Sequence, residues 1–296
     1  MVRRRRSITV GNVAFIVSLA MGSFACSDVR GIRRCMSIAD SGSYLLLKNL
    51  TTTGDCLVME ANFVTVDLNG LSITGNGTGT GISADAPHRA IVIKNGTIAN
   101  FQTGIDFGAG INAATSNRME QVSAIGNSIN GLRVGRYSAI TGCSASNNGR
   151  VGISAGVGST VIGNTSSMNG DDGIETGGGS TISGNAVRGN AGDGIEAAGG
   201  CTIVGNTAVE NGSNGITALG GGNTITNNTA TRNGSSGIIN MGGGDTISNN
   251  TATNNNLYGL SVWCPSNVMG NTATGNGSRN LRLSFGGCND LNNLAP

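Results

Sequence analysis

Residues 168–197, MNGDDGIETGGGSTISGNAVRGNAGDGIEA, carry nearly the same phrase twice: Asp172-Gly173-Ile174-Glu175 returns as Asp193-Gly194-Ile195-Glu196, 21 residues on. The period extends far beyond this stretch. Gly-Ile or Gly-Leu pairs begin at 131, 152, 173, 194, 215, 237 and 259. Asn164, Asn185, Asn206, Asn228, Asn250, Asn271 and Asn293 hold the same spacing in a second phase, and Asn148 to Asn276 hold it in a third. A unit of 21–22 residues in three locked phases is a solenoid period.

Each unit reads as short strands separated by corners, for example STISGN, TAVEN and GIEAA. The apolar residues are mostly Ile and Val, one or two per strand, as when a parallel strand buries one side inside a coil. No apolar pattern of period 3.6 follows residue 25, which excludes a helix-and-strand repeat. Gly and Asn tolerate left-handed backbone at corners, and Asn stacked on Asn forms a side-chain hydrogen-bond ladder. The expected fold is all-β: a parallel β-helix solenoid of about ten to eleven coils.

The first residues, MVRRRR followed by ITVGNVAFIVSLAMGSFA, have the layout of an export signal ending near Ala25. Glycine, asparagine and serine interrupt the apolar run too often for a membrane span. Secreted, periplasmic or cell-surface localisation is expected, with a lipid anchor at Cys26 as the weaker alternative. The organisation reads as 1–25 signal peptide, 26–58 N-terminal cap, 59–263 β-helix, and 264–296 last coil and C-terminal cap. Without residues 1–25, which hold four Arg and no acid, the net charge moves from +2 to −2. Neither a nucleic-acid binder nor a basic membrane binder is expected.

Seven cysteines in an exported chain permit disulfides. Cys35 with Cys56 would staple one end and Cys264 with Cys288 the other. Cys143 and Cys201 have no evident partner, and Cys143 stands where other coils have Asn. No Cys/His spacing suits zinc. His88 is the only histidine, which argues against histidine-ligated metal centres and a Ser-His-Asp hydrolase. Glycine runs such as GALGGGN precede no helix, so they are not phosphate loops.

In a parallel stack, equivalent residues of neighbouring coils lie ~4.8 Å apart. One column should read Asn130, Val151, Asp172, Asp193, Asn214, Ser236, Tyr258, and another Arg133, Ser154, Glu175, Glu196, Thr217, Ile239, Ser261. With Ile174 and Ile195 inward, Glu175 and Glu196 face out. Asp171, Asp172, Glu175, Asp193, Glu196 and Glu210 are the densest charge cluster, with Arg188 as nearby base and Arg150 in register with Asp171. Three readings follow for the acids. They are solvated turn residues, or a Ca²⁺ site of Asp171, Asp172, Glu175, Asp193 and Glu196, or a catalytic set of Asp172, Glu175, Asp193 and Glu196. The last would place carboxylates at the ~5 Å of a retaining glycosidase. Tyr258, Trp263 and Arg188 are candidate substrate contacts. For Trp263 the competing reading is packing under the C-terminal cap.

The stretches GSYLLLKNLTTTGDCLVMEANFVTVDLNGLSITGNGTGTGI and IVIKNGTIANFQTGI, followed by the regular coils, resemble bacterial exported right-handed β-helix repeat proteins of the pectin-lyase-like superfamily. The resemblance covers about 35–296 and implies a right-handed parallel β-helix. Pectate lyases, polygalacturonases, alginate lyases and epimerases, and phage tailspikes share that fold, so polysaccharide is the implied ligand class. It implies no reaction. Of the polygalacturonase pattern only Asp171-Asp172 is present; Gly-His-Gly and Arg-x-Lys are missing, as is the pectate-lyase Trp-Ile-Asp-His. The expected function is polysaccharide binding along one face. The alternatives are a Ca²⁺-assisted lyase or epimerase, a carboxylate-driven hydrolase, or a structural or adhesive envelope rod.

Overall fold

The computed structural model describes residues 29–108 and 115–296. The expected signal peptide and Cys26 lie outside the described residues. Within them are 34 strands, most of three residues, and every strand pairing is parallel. Each coil presents three faces in turn. Taking one coil as example, Thr181–Ser183 lies on the first face, Ala186–Arg188 on the second and Ile195–Ala197 on the third. The next coil repeats this as Thr202–Val204, Thr207–Val209 and Ile216–Leu219.

Twelve strands stack on the third face. That is slightly more than the expected coil number, because Met36–Ile38 and Leu57–Met59 already pair there. Two longer strands, Val92–Ala99 and Arg118–Ile125, run unbroken from the first face onto the second. No helix occurs among the described residues, so none is long and apolar enough to cross a membrane.

The register follows the sequence period. Ile174 pairs with Ile195 and Ile195 with Ile216, all fully buried. The first face contributes a second buried column, Ile182, Ile203, Ile225 and Ile247. The second contributes a thinner one, Ala208, Ala230, Ala252 and Ala273. Burying a branched side chain in every coil stabilises by ~1.5–3 kcal/mol each, so the core grows linearly with coil number and never becomes wide.

Corners would leave backbone amides unpaired, and the Asn columns meet that demand. Asn185 Oδ1 accepts the backbone N–H (2.9 Å) and the Nδ2 (3.0 Å) of Asn164, while Asn185 Nδ2 donates to Val161 O (2.9 Å) and Asn206 Oδ1 (2.9 Å). The preceding residue is left-handed, as Gly184 (φ 61°) or Asn227 (φ 57°), which explains why Gly and Asn alternate there. Cys143 occupies an Asn position of this column, and its N–H donates to Asn164 Oδ1 at 2.8 Å. Disulfides Cys35–Cys56 and Cys264–Cys288 form as expected at the two ends, and Cys143 and Cys201 are free and buried.

Candidate functional site

The outer surface of the third face departs most from the repeat. In the strands Ile174–Thr176 and Ile195–Ala197 the central residue points outward because its neighbours fill the core. Glu175 and Glu196 are therefore paired in register, as the period predicts. Toward the N-terminus the same column continues as Ser154, Arg133 and Asp106.

The acids behave differently from one another. Asp193 is 8% exposed. Its Oδ1 accepts the N–H (2.7 Å) and the Nδ2 (3.1 Å) of Asn214, and its Oδ2 accepts the Thr217 hydroxyl (2.5 Å). Asp172 Oδ1 accepts the Asp193 N–H at 2.6 Å, and Asn214 Oδ1 accepts the Ser236 N–H at 3.0 Å. The column is thus a ladder, with side chains reaching forward to the next coil where the Asn columns reach back. Asp193 has both oxygens engaged in it.

Asp172 retains a free oxygen, and its carboxyl is pushed up to about 7. Burial is the main cause, reinforced by the negative charges of Asp193, Glu196 and Asp171 against the lowering hydrogen bond from Asp193 N–H. Glu196 is also raised, by burial and then by Asp193, Glu175 and Asp171. Glu175 is exposed, with Oε2 3.4 Å from Ser154 Oγ.

Two arginines flank this cluster. Arg133 approaches Asp106 at 3.6 Å and Arg150 approaches Asp171 at 3.8 Å. Both pairs are solvent-accessible and longer than a hydrogen bond, so they contribute little to stability and leave guanidinium donors free. A groove of about 480 Å³ lies beside the column, lined by Gln102, Asp106, Asn130, Arg133, Arg150 and Glu175 among others. Across the Arg133–Ser154–Glu175 ridge lies a second depression of about 290 Å³, with Arg136, Gly156, Val157 and Gly177 in its wall.

Arg188 and Glu210 do not reach this site. Arg188 ends a strand of the second face, and the corner at 189–194 turns the chain before Ile195. There Glu210 sits between Arg188 (2.7 Å) and Arg232 (3.0 Å), which hold its carboxyl below the ordinary value. Tyr258 and Trp263 do lie on the third face, at opposite ends of strand Tyr258–Trp263. Arg282 stacks on Tyr258 at 5.1 Å, and Phe285 meets Trp263 edge-on at 5.2 Å. Trp263 is 41% exposed rather than packed beneath a cap. His88 pairs with Asp85 at 2.9 Å in an outer corner.

Among the described residues, no three His, Cys, Asp or Glu side chains converge as metal ligands. Arg133 is visible in the 21-residue register, but Asp106 is not. The coil between them is longer, and Asp106 pairs with Arg133 across 27 residues.

Coils of stacked parallel strands define this molecule as a β-solenoid, and its third face carries a charged groove. The model of the right handed beta helix region matches residues 88–230 and 174–293, and the chain belongs to that family. Among solved structures, the mannuronan C-5 epimerase AlgE6 A-module of Azotobacter vinelandii is similar at 17% identity and TM-score 0.73. That match covers 86% of this chain and 91% of that one. The GH87 α-1,3-glucanase catalytic unit of Streptomyces thermodiastaticus strain HF3-3 is similar at 14% and 0.58, covering 87% and 60%. The Dettilon tailspike protein is similar at 15% and 0.60, covering 86% and 61%. At such identities these likenesses are of fold. No match is found among curated proteins.

Proposed function

We propose that the protein is exported and engages a polysaccharide lying lengthwise along its third face, across the strands. The observation carrying this reading is the groove of about 480 Å³, in which Arg133 and Arg150 keep free donors beside Gln102, Asn130, Asp106 and Glu175. Such a mixture of forked donors, amides and carboxylates suits the hydroxyl and carboxylate groups of sugars better than an apolar ligand. Two structurally similar proteins are, by name, a mannuronan epimerase module and an α-1,3-glucanase, which supports polysaccharide as the ligand class. The two disulfides support an oxidising compartment.

Calorimetry with mannuronan and with α-1,3-glucan tests the reading. Saturable heat from either, abolished in an Arg133→Ala/Arg150→Ala double variant that melts like the parent, is the expected result. Absence of heat from both polymers would sink it.

A second reading has its own support. Asp172 titrates near neutrality beside Glu196 and the exposed Glu175, as a general acid or base requires. Epimerase, lyase or hydrolase chemistry would then centre on Asp172, Glu175 and Glu196, with Asp193 as a positioning residue. Calcium, which takes six to eight oxygens, would have to recruit Asp171, Glu175 and Glu196 by side-chain rotation, since Asp193 is fully engaged. Product analysis of either polymer after incubation decides the point: turnover lost in Glu175→Gln supports catalysis, and unchanged polymer refutes it.

A further inference from the structure

One column of the third face changes character along the helix. Immediately after the inward residues Val134, Ala155, Thr176 and Ala197, which are in register, come Gly135, Gly156, Gly177 and Ala198. The same position in the later coils holds Leu219, Met241 and Trp263, all exposed. The early members are small because neighbouring backbones nearly touch. A Cβ on Gly156 would lie 2.8 Å from Arg136 N, and one on Gly177 2.5 Å from Val157 N. They form a trough floored by backbone, which meets a wall of exposed apolar side chains. From the Gly135 coil to the Trp263 coil is six steps, or ~29 Å at ~4.8 Å each.

The end of the trough is built for aromatic exposure. Phe285 is 79% exposed and left-handed at φ 78°, a backbone conformation that glycine or asparagine would adopt with less strain. It meets Trp263 edge-on at 5.2 Å, and the disulfide Cys264–Cys288 ties together the two segments that carry the rings. Packing alone does not account for an aromatic in that position. An exposed, pre-organised ring pair continuous with a polar trough matches a chain whose units have both hydroxyl edges and apolar C–H faces.

We propose that Trp263 and Phe285, with Met241 and Leu219 on the preceding coils, form a stacking subsite for a sugar ring of a polysaccharide chain that lies in the trough. The proposal rests on the reading of this face as a glycan site, but carries the chain over the Arg133–Ser154–Glu175 ridge, which lines both depressions, into the smaller one. It adds a minimum ligand length: a chain must pass about 29 Å from the arginine end to engage the platform.

The protein's only tryptophan reports on this subsite directly. Trimers and octamers of mannuronate and of α-1,3-linked glucose are titrated in parallel by calorimetry and tryptophan emission. The expected result is that a bound octamer shifts Trp263 emission while the corresponding trimer does not. Phe285→Ala should weaken the octamer about tenfold and leave the trimer unchanged. An octamer that gives heat without moving the emission, or that binds the Phe285→Ala variant equally, overturns the subsite while leaving the glycan reading intact. Absence of heat from every oligomer removes both. An emission shift that follows protein concentration without sugar would show that a second copy covers the rings, which also overturns the proposal.

Discussion

Replacing Asp172 by asparagine should stabilise the protein, with a definite pH signature. The amide oxygen introduced by Asp172→Asn can accept the Asp193 N–H that Asp172 Oδ1 now accepts at 2.6 Å, while the charge that burial and neighbouring acids oppose is removed. Raising the carboxyl from 3.8 to about 7 sets a ceiling of ~4 kcal/mol at 1.36 kcal/mol per unit. Asp172 is only half-buried, so solvent screening reduces this to roughly 1–2 kcal/mol. The sign follows from linkage. The folded-state value lies above the unfolded one, so protonated Asp172 contributes stability that is fully present below pH 3.8 and lost as the pH rises to about 7. The advantage of Asp172→Asn should therefore be near zero below pH 3.8, grow across that interval and stay constant above it. Above about pH 7 it should appear as a rise of roughly 2–4 °C in Tm for a chain of this size. Thermal unfolding of both proteins across the pH range measures it. Asp172→Ala serves as control: it removes the same charge but leaves the Asp193 N–H without its acceptor, so it should melt below Asp172→Asn at every pH and below the parent under acidic conditions. A pH-independent difference, or a variant less stable than the parent above about pH 7, would refute the account of the acidic column.

Other consequences concern the scaffold and the separation of faces. Asn206→Ala removes the acceptor for both the N–H and the Nδ2 of Asn185, which are buried, and should lower unfolding free energy by ~2–4 kcal/mol in urea titration. Gly177→Ala places a Cβ 2.5 Å from Val157 N; forcing two coils apart should cost about 1–3 kcal/mol, seen as a lower urea midpoint. Arg188→Ala disrupts only the exposed second-face network with Glu210. Polysaccharide affinity should be unchanged in that variant by calorimetry, and a loss would mean that the ligand wraps onto the second face.

The fold was legible because a 21-residue period translates directly into register. Asp172 beside Asp193 and Glu175 beside Glu196 needed only the assumption of a parallel stack. What the period does not carry is the direction of a corner. Arg188 is closer in sequence to Glu196 than Arg133 is, yet the corner at 189–194 puts it on another face, whereas Arg133, three coils away, shares the column. Interrupted periodicity hid more. Asp106 stands 27 residues before Arg133, and Phe285 lies in a loop of the last coil that repeats no earlier phrase. The roles of the acids were hidden too, since the direction of a side-chain ladder depends on rotamers and not on spacing.

In a solenoid, a residue that recurs in every coil serves the stacking, and the places where recurrence fails are where another demand has intervened. The Asn columns recur almost without exception and use their donors and acceptors within the stack. Along the outer column of the third face, successive coils instead carry Asp106, Arg133, Ser154, Glu175, Glu196 and Thr217, a series that no strand requires. Asp193 shows the boundary between the two cases. It belongs to the acidic phrase in sequence, but both its oxygens are engaged in the ladder, and its charge helps to raise Asp172 and Glu196. The twice-repeated phrase therefore contains one scaffold acid, Asp193, and three available ones, Asp172, Glu175 and Glu196. The arginines that balance them are supplied by coils nearer the N-terminus. Because every coil advances the column by ~4.8 Å, such a face can be revised one residue at a time without disturbing the core beneath it.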